Sequence, residues 1–177
     1  MSGGKSLLRD RSFWFSYLLL FATVNISVAT YLRRFNWGHL GPLLVTHWLG
    51  WGATIFIVAY TPLYFWLKRR YIRHVKTLVD IHVFGNLASF MGISLHFATQ
   101  FSRPEFFRPE YGLGFITYIS IVILVSTGFL YRYRILGVFD RRMKQVRVPH
   151  YNRALHITIT LTFYFIVVFH VFQAIAP

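Results

Sequence analysis

Eight histidines punctuate an otherwise apolar chain, and four of them repeat one interval. His82 and His96 are 14 residues apart, and so are His156 and His170. Each pair lies in a long apolar stretch that reads as helix. Fourteen residues at about 100° each end roughly 40° short of four full turns, so both members of a pair share a face. The rise over that interval is about 21 Å, against a hydrocarbon core ~30 Å thick. One imidazole of each pair is therefore expected near each membrane surface. Two such helices running the same way would set His82 opposite His156 at the inner side, and His96 opposite His170 at the outer side. Facing imidazoles on opposite helices are the donor set of a bis-histidine haem clamp. The expectation is two b-type haems stacked along the membrane normal, with these four histidines as ligands to iron.

The residues between the ligands extend that expectation. Gly85 and Ser89 lie on the histidine face of their helix, with Gly92 flanking it, where small side chains leave room for a flat macrocycle. Close helix approach is the other common use of small residues in membranes. Ser89 and Phe163 each sit seven residues from both histidines of their pair, so Phe163 is the candidate to occupy the gap between two haems. Arg132, Arg134 and Arg153 are candidate partners for inner haem propionates, since guanidinium groups pair with carboxylates through two parallel hydrogen bonds. Topology charge is the plainer reading of the same arginines. His47 stands near Trp48 and Trp51, where it would line an outer quinone or substrate pocket or simply belong to an interfacial aromatic belt. His39, His74 and His150 fall in expected loops. A lone histidine in a membrane helix more often bonds a neighbouring helix or serves a proton path. Matched spacing on two helices is what separates these four from that reading.

Such ligands need long, lipid-buried helices to hold them, and the sequence supplies five candidates. They run about 13–32, 42–67, 78–101, 112–131 and 154–176, each near the ~20 residues that cross a bilayer as helix. Asn25 interrupts the first, Pro62 falls late in the second, and Asp80 stands at the entrance of the third. None alternates as the ten-residue strands of a membrane barrel do. The composition agrees, with 55% hydrophobic, 20% aromatic and only 14% charged residues in 177, where soluble domains carry about a quarter charged. A single all-α membrane domain spanning 1–177 is expected.

Charge placement gives a direction. With the N-terminus inside, the inner segments hold Lys5, Arg9 and Arg11, then Lys68, Arg69, Arg70, Arg73 and Lys76, then seven more basic residues from Arg132 to Arg153. The outer segments hold Arg33, Arg34, Arg103 and Arg108. Fifteen against four is a positive-inside bias that puts the N-terminus inside and the C-terminus outside. The formal net charge of +14 is thus read as topology charge facing lipid headgroups. It is not read as a nucleic-acid surface, because no long polar surface remains to carry one. The basic segment Arg132 to Arg153 has a specific docking surface as its alternative reading. The first apolar run lacks a small-residue cleavage site and reads as a helix of the mature protein.

Several chemistries are excluded. No cysteine is present, which removes disulfides, thiolate zinc, iron–sulfur clusters and c-type haem attachment. Gly112 and Gly114 lack the preceding strand and third glycine of a dinucleotide site. Gly3-Gly4-Lys5-Ser6 lacks the earlier glycine of a phosphate loop. No Ser–His–acid or zinc-hydrolase spacing occurs.

With the four histidines in place, residues 78 to 172 resemble the transmembrane haem domain of ferric reductases and NADPH oxidases, where paired histidines on the third and fifth of six helices hold two haems. The segment Ile81-His82-Val83-Phe84-Gly85 followed by His96 carries that likeness. Here five runs stand where that group has six, and no flavin or nucleotide motif is seen, so NADPH oxidation by this chain is not implied. The oxidase branch also tends to have one residue fewer between its second pair. The cytochrome b subunits of quinol-oxidising complexes share the 14-residue spacing, on their second and fourth helices. Both resemblances imply a di-haem membrane cytochrome, and the chain is read as the electron-transfer subunit of an oxidoreductase complex of a respiratory chain, expected in a prokaryotic cytoplasmic membrane. Its partners would be lipid, a quinone and a cytochrome, iron–sulfur protein or flavoprotein. The alternatives are a stand-alone transmembrane reductase of a metal ion or small oxidant, and a haem-free scaffold or transporter. Transporters usually show broken helices in matched halves, and no such pairing is visible.

Overall fold

A computed structural model describes residues 10–103, 112–133 and 148–175. Five helices long and apolar enough to cross a membrane dominate it: α1 (Arg11–Tyr31), α2 (Val45–Arg70), α3 (Val75–Phe101), α4 (Gly112–Arg132) and α5 (Val148–Ile175). The chain is a multi-pass helical membrane protein. In lipid every main-chain polar group must find its partner within the segment, which is why each apolar run closes into helix. Several polar side chains inside the helices follow the same rule. Thr23, Thr99, Thr117 and Ser120 each donate their hydroxyl to the carbonyl four residues earlier, at 2.7–2.9 Å. Asn25 does so through its amide, to Phe21 O at 2.7 Å, so it interrupts the apolar run without breaking the helix.

The helices group into two compact units. One holds α1 from Trp14 together with α2 and α3. The other holds α4 and α5 with the first turn of α1. In the first unit, β1 (His39–Leu40) and β2 (Leu43–Leu44) form a two-stranded antiparallel hairpin ahead of α2. Gly41 has φ +65° and Pro42 has its φ restricted near −65°, the signs a type II′ turn requires. His39, expected in a loop, lies on this hairpin.

Within the first unit, α2 and α3 pack antiparallel. Small residues bring them close: a Cβ added at Gly92 would stand 2.9 Å from Leu49 O, and one at Gly85 would meet the Phe56 ring. The Phe56 ring stands beside Gly85, whose lack of a side chain lets α2 and α3 approach. Pro62 lies well inside α2, which continues eight residues further to Arg70. Pro62 leaves the Val58 carbonyl without its usual N–H donor. A 3₁₀ turn, Ile72–His74, precedes α3, which begins three residues earlier than expected. Helix α1 runs parallel to α3, with Phe15 against Phe84 at 5.1 Å and Tyr31 against Phe101 at 5.3 Å. Its buried residues are Ser16, Thr23 and Thr30, a heptad of small hydroxyls that suits close helix contact.

The end of α1 is closed by a Schellman motif. Arg34 N–H donates to Ala29 O at 2.8 Å and Arg33 N–H to Thr30 O at 2.9 Å, with Arg33 in the left-handed region at φ 57°. Glycine is usual there, because a Cβ is disfavoured in that conformation. Arg33 is held instead by its side chain, whose Nη2 donates to Ser102 O at the end of α3, 2.7 Å away.

In the second unit, α4 and α5 form an antiparallel pair. Phe13 and Ser12 join it at one end: Tyr133 Oη donates to Ser12 O at 2.8 Å, and the Phe13 and Tyr133 rings meet edge to face at 5.2 Å. Helix α5 begins six residues before the expected start, with Pro149 in its first turn, a position where the missing N–H has no intrahelical acceptor to lose.

Candidate functional site

The two histidine pairs fall in different units, and each is described within its own helix pair. In α3, both rings turn toward α2. The His96 side chain rests on Gly50, where an added Cβ would stand 3.0 Å from its Cγ and 3.1 Å from its Cβ. The His82 ring lies flat on the Tyr64 ring, centroids 4.4 Å apart and planes 15° from parallel. Lys68 Nζ is 5.6 Å from the same Tyr64 ring. The Asn86 side-chain amide meets His82 Nδ1 at 3.1 Å.

In α5, both rings turn toward α4. An added Cβ at Gly128 would stand 3.4 Å from His156 Cε1, and one at Gly114 would stand 3.2 Å from His170 Cε1. Thr127 Oγ1 lies 3.0 Å from His156 Nδ1. The four imidazoles thus obey one plan. Each belongs to the second helix of its antiparallel pair and lies against a residue of the first. Gly50 and Tyr64 are 14 apart, and so are Gly114 and Gly128. In an antiparallel pair, equal intervals on both helices keep both contacts in register, since each helix rises the same ~1.5 Å per residue.

These facing residues were missed in the sequence reading, which followed the histidines alone. Their signal was present, because the interval that marks the histidines recurs on the helix before each pair. By itself, Gly114 reads only as part of an incomplete dinucleotide motif.

The other candidates take definite places. Ser89 is buried at 5% exposure, and Phe163 is wholly buried at 0%, the largest fully buried side chain among the described residues. Arg132 and Arg153 are exposed, in the last turn of α4 and three residues before His156 in α5. Arg134 lies outside the described residues, as do Arg141, Arg142, Lys144 and Arg147. His150 is in the first turn of α5, and His74 stands at the N-cap position of α3 with no side-chain capping bond. His47 is not a solitary interfacial ring. Its centroid is 4.9 Å from that of His96, at 71° between planes, and its Nε2 is 2.9 Å from Gln100 Nε2. His47 Nδ1 is buried without a hydrogen-bond partner among the described residues.

Among the described residues no three or more His, Asp or Glu gather in one place, so the candidate site is a set of paired imidazoles. Neutral imidazoles without any thiolate are the donor chemistry that a haem of the bis-histidine kind would use. All four rings are half-buried, backed on one side by a glycine or a flat aromatic. His82 and His156 have a hydrogen-bonding neighbour at Nδ1, which is how ligating imidazoles are ordinarily oriented. Comparison with family models, curated proteins and solved structures found no match for this chain.

Proposed function

We propose that this chain is a di-haem b-type membrane cytochrome that carries electrons across the bilayer. His82 and His156 would hold the inner haem, and His96 and His170 the outer one. The reading rests on one observation above the rest. Four imidazoles repeat at 14 residues on two helices, and each lies against a residue that repeats at the same interval on the neighbouring helix. That interval separates two imidazoles of one helix by about 21 Å, enough to serve both sides of a membrane.

When bound, the haems supply one-electron carriage, and iron with two histidine ligands has no open position for oxygen or substrate. The chain's own part is to fix the four rings, exclude water and set the charge around each site. Arg132 and Arg153, at the end of the α4–α5 pair nearest His156, would pair with inner propionates. Phe163 would fill the space between the two macrocycles. The basic clusters at Lys68–Lys76 and beyond Arg132 would face the inner side. A quinone at one face and a partner redox protein at the other would complete the circuit, as an electron-transfer subunit of a larger complex.

The test is haem stoichiometry. The full chain, purified from a haem-sufficient host, is assayed as its pyridine haemochrome together with a reduced-minus-oxidised spectrum. Two b-type haems per chain are expected. A colourless preparation that takes up no added haemin overturns the proposal.

A further inference from the structure

We infer that Thr127 is a positioning residue that holds the proton of the His156 ring on Nδ1, leaving Nε2 as the nitrogen with a free lone pair for iron. Its meaning for function rests on the haem reading above, whereas the tautomer itself does not.

A neutral imidazole carries one N–H, and a metal binds the nitrogen that lacks it. Thr127 Oγ1 lies 3.0 Å from His156 Nδ1. The hydroxyl has one hydrogen, and two main-chain carbonyls compete for it. Ile123 O is 2.8 Å away and Leu124 O is 3.1 Å away. Donation to the preceding turn is the habit of threonine inside helices. It also satisfies both partners here, because a carbonyl oxygen can only accept. With its hydrogen given to the main chain, Oγ1 offers the ring lone pairs alone. Nδ1 must then be the donor.

Gly128, the next residue, completes the seat. The ring atom Cε1, between the two nitrogens, sits in ordinary contact range of where a Cβ would be. The ring is thereby held along one edge, and Nε2 lies beyond that contact. Asn86 beside His82 imposes no such choice, because an amide turned through 180° exchanges donor for acceptor in place. The asymmetry singles out His156 as the imidazole whose ligating nitrogen is set by the protein before any metal arrives.

The experiment uses the full chain made in a haem-deficient host, labelled with ¹⁵N-histidine and reconstituted in lipid nanodiscs. Solid-state NMR reads the tautomer of each ring, and His156 is assigned from the signal lost in His156→Gln. Protonation at Nδ1 is expected in the parent protein and in Thr127→Ser. In Thr127→Val, which keeps the shape and loses the oxygen, a shift toward Nε2–H is expected. Haemin titration of the same three proteins should show one of two binding events weakened by about tenfold or more in Thr127→Val alone, the scale on which loss of an outer partner acts. Parent protein protonated at Nε2, or Thr127→Val with unchanged tautomer and unchanged haemin affinity, overturns the inference. The expected tautomers with no haemin bound by any of the three would leave Thr127 as positioning residue and overturn the cytochrome reading instead.

Discussion

At the residue scale, the four histidines differ in what holds them, and the difference is measurable. If His82 and His156 share one haem, His82→Ala and His156→Ala should each remove the same inner component from a redox titration of the membranes. His96→Ala and His170→Ala should each remove the other. A single substitution that strips both haems from a folded protein would contradict this pairing. The glycine seats give a second, graded expectation. At Gly128 a methyl group meets His156 Cε1 at 3.4 Å, which is normal contact, and alanine is favoured over glycine in a helix by about 1 kcal/mol. Gly128→Ala should leave thermal stability in detergent unchanged or raised. At Gly50 the methyl would stand 3.0–3.1 Å from Cγ and Cβ of His96, the root of a side chain that cannot swing aside. Gly50→Ala should destabilise by about 1–3 kcal/mol, the usual range for overpacking. Equal effects at the two positions would show that the rings are not seated as described.

At the scale of elements, the helices needed little from one another to form, but their ends and their approach did. The apolar runs predicted all five helices, four of them within three residues at either end and α5 six residues late at its start, because in lipid the demand for internal hydrogen bonding acts on each segment separately. What periodicity could not show was how small residues would be used. Gly85 has beside it Phe56 of α2, a residue 29 positions away whose register is set by the whole α2–α3 seam. Likewise Arg33 was expected only as a loop charge and proves to be a left-handed helix cap tied to Ser102. Arg33→Gly relieves the backbone strain while losing the bond, and Arg33→Ala loses the bond while keeping the strain. Alanine should therefore be the less stable of the two by about 1 kcal/mol, comparable to the cost of a left-handed residue. Chemical denaturation of the two variants in mild detergent checks the order.

At the scale of the whole molecule, orientation is the feature most open to direct test. The chain contains no cysteine, so one introduced thiol reports its own side of the membrane. Leu40 on the β1–β2 hairpin is 62% exposed and Ile72 before α3 is 77% exposed. Leu40→Cys should react with an impermeant thiol reagent in intact cells, and Ile72→Cys only after permeabilisation. The reverse result would invert the inside and outside assigned here from charge. Composition and the 14-residue interval were enough to mark five lipid-buried helices and four histidines of one kind, because helix length and helical phase are local properties of a chain. The partners of those histidines were not local. Gly50, Tyr64, Gly114, Thr127 and Gly128 became their contacts through the alignment of neighbouring helices. That alignment is set by the packing of many side chains at once, and no single stretch of sequence encodes it.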